Sequence, residues 1–213
     1  MKLRHALSAI GLLLVSHSAS AVLIEANDPD YGTGNNITWD TQTGLEWLDL
    51  TVTQGCDIYK ISAKKCNGFD FADWTLASKL QVSEFWGNAG ISSLGSFSTA
   101  DYAAVTALLD NIGYTYSNNQ GRGANGIIAE TTFTNPVLGQ LSLNNAGQSQ
   151  EQFFKFPNNL ILTTVSNNRA AYFIRQSQRE YVADVPNPSS GLLMMIGVLG
   201  LLALSRAQQR RAR

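Results

Sequence analysis

The chain has 213 residues, with 15 Lys and Arg, 16 Asp and Glu and a formal net charge of −1. Its only histidines are His5 and His17, so the sequence beyond residue 17 has none. That excludes Ser-His-Asp and Cys-His catalysis and His-ligated zinc there, and leaves carboxylate-pair chemistry open.

Residues 1–21 read as a secretory signal peptide. Lys2, Arg4 and His5 form the charged start, Ala6 to Val15 the apolar region, and Ala19-Ser20-Ala21 an A-x-A cleavage site. An N-terminal anchor helix is the alternative, but the apolar region is short for one. Residues 22–181 then form one exported domain of 160 residues, enough for a single core. Val22 to Ala26 reads as a first strand and 27–36 as a turn-rich loop. Within that loop Asp28-x-Asp30-x-Gly32, with Asn35 and Asn36, clusters oxygen ligands of the kind calcium (Ca2+) takes. No third acid and no late Glu follow in EF-hand register, so a polar turn is the first reading and calcium at Asp28 and Asp30 the second; no other cofactor is implied.

Ile37 to Asp40 and Leu45 to Leu50 read as strands joined by a turn. Cys56 and Cys66, ten residues apart, are the only cysteines and read as a disulfide in an oxidising compartment. Closing so short a loop stabilises by about 2–3 kcal/mol. Ser78-Lys-Leu-Gln81 fits a capping box opening a helix that carries Val82, Phe85 and Trp86. A second helix starts near Ser98 or Thr99, places Val105, Leu108, Leu109 and Ile112 on one face, and stops at Gly113. Asn118-Asn-Gln-Gly-Arg122-Gly-Ala-Asn-Gly126 reads as a long loop with binding potential at Asn118 and Arg122. Strands are expected at 127–133, 141–144, 160–165 and 170–174. Two helices among several short antiparallel strands make an α+β domain.

Residues 182–190 form an exposed linker. The unbroken apolar run Gly191 to Leu204 follows, within a membrane segment 191–205, and then a basic tail 206–213 holding Arg206, Arg210, Arg211 and Arg213. The run spans roughly 21 Å as a helix, marginal for a bilayer, and the arginines would stay cytoplasmic. A plain C-terminal anchor is one reading; a sorting signal held in the membrane and then cleaved is the other. With both ends removed, nine basic and 16 acidic residues leave a net charge of −7. An acidic domain argues against nucleic acid as partner.

The tail resembles the PEP-CTERM sorting signal of Gram-negative bacteria. The residues that carry the likeness are Val185, Pro186, Asn187, Pro188 and Ser189, then the Leu/Gly-rich run and the terminal arginines; Asn187 stands where the motif has Glu. The resemblance implies signal peptidase and an exosortase as processing partners, a transient membrane stay through 191–205, and a destination at the cell surface or extracellular matrix. A second, looser resemblance joins Asp40-Thr-x-Thr-Gly-Leu-Glu-Trp-Leu-Asp-Leu50, Trp74-Thr-Leu-Ala-Ser78 and Ala171-Tyr-Phe-Ile-Arg175 to exported domains of the Lcl C-terminal group. It implies a C-type-lectin-like fold, although most of the group's cysteines are missing and Thr75 replaces its usual Arg.

Three functions follow as expectations. The first is a non-enzymatic, exosortase-sorted envelope or matrix protein that binds extracellular polysaccharide. The second is a secreted polysaccharide hydrolase using Asp40, Glu46 and Asp49, of which Glu46 and Asp49 fall on opposite faces of a strand. The third is a structural biofilm component without a small ligand. Trp47 and Trp74, with Trp39 and Trp86, could stack on sugar rings or fill the core.

Overall fold

The computed structural model describes residues 22–92, 95, 97–132, 137–155 and 168–179. The signal peptide, the strand expected at 160–165, the sorting motif, the segment 191–205 and the basic tail lie outside these residues. The chain divides into two units, 1–177 and 178–213. Of the second, only Gln178 and Arg179 are described.

The described residues of the first unit mix four α-helices with mostly antiparallel sheets. One sheet joins β1 (Leu23–Ala26), β2 (Ile37–Asp40) and β3 (Leu45–Leu48) to β12 (Phe173–Gln176) and β6 (Thr75–Leu76), all antiparallel. Both of its faces are covered. Strand side chains alternate, so Trp47 and Ile174 enter one apolar cluster, with Phe85, Trp86 and Leu109, while Ile37, Leu48 and Phe173 enter a second, with Ile61, Phe71 and Trp74. A sheet covered twice shows no clean polar alternation, and all four residues of β2 are buried.

The short helices α1 (Leu50–Thr53) and α2 (Ile58–Ser62) lead into the hairpin β4 (Lys65–Cys66) and β5 (Phe69–Asp70). Sequence reasoning missed both helices, because four and five residues carry no usable periodicity. The Cys56–Cys66 disulfide ties this segment together, with Cα atoms 6.0 Å apart. It sits inside the second apolar cluster, where both sulfurs are buried.

Helix α3 (Lys79–Asn88) has the capping box the sequence announces: Ser78 Oγ accepts from Gln81 N, and Ser78 N donates to Gln81 Oε1. Helix α4 (Tyr102–Ile112) buries Val105, Leu108, Leu109 and Ile112, and Gly113, at φ 85°, ends it. Its start is corrected from Ser98 or Thr99 to Asp101, the residue before the first turn. Ser98 is instead held as a β-bridge to Ser149.

The second sheet runs β10 (Ser149–Lys155), β9 (Val137–Asn144), β8 (Gly121–Ile127) and β11 (Ala170–Ala171), with β7 (Tyr116–Asn118) also on β8. Among the described strands only β11 pairs in parallel. The strand expected at 127–133 is thus displaced to 121–127. Its glycine-rich stretch reads as a loop, yet the backbones need those glycines. A Cβ on Gly123 would lie 2.2 Å from the Leu141 carbonyl oxygen, and one on Gly126 2.3 Å from the Tyr172 ring. The run expected at 170–174 breaks at Tyr172. Its N–H donates to Ile127 O, its carbonyl accepts from Ala77 N, and the chain passes there from the second sheet to the first.

Candidate functional site

Two tight turns build the candidate site. Between β7 and β8, Asn118 Oδ1 accepts from Gln120 N at 2.8 Å and Gly121 N at 3.1 Å. Between β9 and β10, Asn144 Oδ1 accepts from Ala146 N and Gln148 N, both at 3.0 Å. Asparagine does this because its short amide mimics a backbone turn. Asn145 Nδ2 donates to Asn119 O at 2.7 Å and fastens one turn to the other. β8 and β9 pair Gly121 with Asn144 and Arg122 with Leu143, which sets the turns side by side.

With the start of α4, these turns enclose a cleft of about 290 Å³ lined by Tyr102, Ser117, Asn118, Arg122, Asn144 and Asn145. The Arg122 guanidinium lies 4.7 Å from the centre of the Tyr114 ring. Tyr114 in turn hydrogen-bonds Asp110. Burial, then the Asp110 carboxylate, pushes the Tyr114 hydroxyl up to about 12, so it keeps its proton. Among the described residues no carboxylate comes within ion-pair distance of Arg122. The cleft thus offers a fixed guanidinium, amide groups and a tyrosine, groups that recognise hydroxyl-rich or anionic molecules by hydrogen bonds. Asn118 and Arg122 are brought together here. Tyr102, Ser117, Asn144 and Asn145 were missed; the turn run Asn144-Asn-Ala-Gly147 was the available signal.

The other expected site residues fall elsewhere. Trp47 and Trp74 are 1% and 0% exposed. Trp47 stacks on Phe85 at 4.1 Å between ring centres, and Trp74 meets Tyr31 edge-on. Neither offers a face to a sugar, so their assignment as ligand-binding residues is corrected to core. Trp39 and Trp86 are buried too. Asp28 caps the 3₁₀ turn Pro29–Tyr31, accepting from Asp30 N through Oδ1, and its Oδ2 accepts from Arg175 at 2.7 Å. Asn36 bonds both backbone groups of Asp28. The Asp28–Asn36 loop is therefore a self-satisfied polar turn. Among the described residues no three His, Cys, Asp or Glu side chains come together as a metal-binding group.

The carboxylates Asp40, Glu46 and Asp49 are also separated by their partners. Asp40 closes its own turn through Gln42 N and accepts from Asn88 Nδ2. Glu46 accepts from Arg175 Nε at 2.7 Å and from the Ser177 hydroxyl at 3.0 Å. Asp49 follows β3 on the opposite face, where Thr38 is its hydroxyl neighbour at 3.5 Å. Burial, then the charge of Glu25, pushes the Asp49 carboxyl up to about 8.

No family model, curated protein or solved structure matches the chain. Among the described residues no helix is long and apolar enough to cross a membrane.

Proposed function

We propose that this chain is a non-enzymatic, exported protein of a bacterial envelope or matrix, sorted by an exosortase through residues 185–213, and that its domain binds an extracellular glycan. The observation that carries the binding is the cleft at Asn118, Arg122 and Asn145. Its groups are held by turn hydrogen bonds and need little ordering to meet a ligand, which favours affinity. The route rests on the sequence of the two ends. A C-type-lectin-like description of the domain belongs to the same proposal. It is supported by helices α3 and α4 set among short antiparallel strands, and by Trp39, Glu46 and Arg175 lying side by side on β2, β3 and β12.

A glycan array probed with the full chain in detergent, with and without chelator, tests the reading. Arg122→Gln and Asn118→Ala are each expected to weaken binding about tenfold or more, as the loss of one good hydrogen-bonding partner does, while the melting temperature of Arg122→Gln stays near that of the parent. An array on which nothing binds leaves only a structural component without a small ligand. The sorting route is tested by mass spectrometry of the C-terminus of surface-exposed protein. A terminus upstream of Gly191 is expected, and an intact Arg213 defeats cleavage.

A further inference from the structure

The hydrogen-bonding groups of the cleft between the β7–β8 and β9–β10 turns are unevenly spent. Asn118 Oδ1 and Asn144 Oδ1 each accept two backbone N–H bonds, which fills both lone pairs of an amide oxygen. Asn144 Nδ2 donates to Gln148 Oε1, and Asn145 Nδ2 to Asn119 O. Among the described residues, Asn118 Nδ2 and the Arg122 guanidinium have no hydrogen-bond acceptor, and no Asp or Glu lines the cleft. A guanidinium carries five N–H donors and no acceptor. What the cleft has left to offer is therefore chiefly donors and one positive charge.

Arg122 is also held in place. It is half-buried and lies opposite Ser117 on β7 and Leu143 on β9, so the three share one face of the sheet. Its guanidinium lies 4.7 Å from the centre of the Tyr114 ring, and Asp110 holds the Tyr114 hydroxyl in turn. A guanidinium seated on a ring keeps its charge and its planar fork of N–H donors. Such a fork meets a carboxylate with two parallel bonds. A neutral sugar hydroxyl is a poorer match, because it must also place its own proton on an acceptor, and most amide oxygens of the lining are taken. The cleft, at about 290 Å³, is at the small end of ligand pockets, which run from about 300 to 1,000 Å³. It has room for one sugar unit rather than a run of them. Between its two ends the chain carries a net charge of −7, so no general positive field draws anions to the domain. Any attraction is local to Arg122.

We propose that the sugar unit read by this cleft is a uronic acid, with its carboxylate paired to Arg122 and another of its oxygens accepting from Asn118 Nδ2. This rests on the glycan-binding role of the cleft and narrows it to acidic, carboxylated polysaccharides.

Binding constants of the full chain in detergent test it. The probes are oligomers of galacturonic, mannuronic and glucuronic acid, their methyl esters, their carboxyl-reduced neutral forms, and O-sulfated versions of the neutral forms. At least one oligouronate is expected to bind about tenfold or more tightly than its own ester, as a charge-assisted hydrogen-bonded pair provides. Arg122→Gln should leave acid and ester equal. Arg122→Lys keeps the charge but not the fork, and should lose most of the preference. Both variants keep the arginines of 206–213, so a preference for the acid that survives in Arg122→Gln arises elsewhere and overturns the proposal. A sulfated form bound more tightly than every uronate overturns it as well. Esters or neutral forms bound as tightly as the acids overturn the uronic acid while leaving the cleft a glycan site; no binding to any glycan defeats both. Should Arg122→Gln not fold, an Arg122→Lys protein with the full preference overturns it equally.

Discussion

Arg175→Ala is expected to lower the unfolding free energy by about 3–5 kcal/mol, the usual result of removing one partner from a buried ion pair. Arg175 reaches Asp28 through Nη2 and Glu46 through Nε, both at 2.7 Å, and its guanidinium lies 4.5 Å from the centre of the Trp74 ring. The side chains of Asp28 and Glu46 are 11% and 3% exposed. Without the guanidinium, two carboxylates stay largely out of water, although the Ser177 hydroxyl still serves Glu46. The register explains the meeting: Arg175 and Glu46 are directly opposite on β12 and β3. Urea unfolding followed by tryptophan fluorescence measures the loss. Adding Glu46→Gln should recover part of it, since it removes one stranded charge. A loss below about 1 kcal/mol would place the cluster among ordinary surface pairs.

Asp49→Asn is expected to gain stability over the parent steadily as pH rises from about 4 to about 8. The Asp49 carboxyl stands at about 8 in the folded protein against an ordinary 3.8. A group raised on folding binds its proton more tightly in the native state. Its contribution is complete below pH 4 and is lost as pH climbs toward 8. The slope of the difference is at most about 1.4 kcal/mol per pH unit, and several kcal/mol accumulate across the window. Asparagine keeps the shape of the protonated acid beside Thr38 and has no charge to face Glu25. Denaturant midpoints of both proteins at a series of pH values give the comparison. A difference that is flat between pH 4 and 8 would show that Asp49 ionises freely in the folded protein.

Legibility in the sequence tracked whether a signal was local. The capping box at Ser78 and the Leu109–Gly113 helix end are completed within one turn, and both appear as read. So does the Cys56–Cys66 bridge. The start of α4 was misplaced because Ser98 is claimed by Ser149, fifty-one residues on. Strand β8 was misread because glycine's value there is set by Leu141 and Tyr172, neither of them local. The tryptophans carried the same ambiguity. Aromatic content is visible in a sequence, but which face of Trp47 remains open depends on Phe85 closing over it. The cleft was half legible: Asn118 and Arg122 share a hairpin, whereas Asn144 and Asn145 join them only through the β8–β9 register.

The place of β12 has a temporal consequence. It is the last described strand, yet it lies inside the first sheet, between β3 and β6. A chain that emerges amino-terminus first, from a ribosome or through a membrane pore, cannot complete that sheet until residue 176 is out. Until then β3 keeps an open edge, Glu46 lacks its arginine, and Trp74 lacks its cover. Pairings this distant in sequence close slowly. Final folding is thereby deferred to the end of emergence, and a passage that requires an unfolded chain stays open for nearly the whole length of the domain.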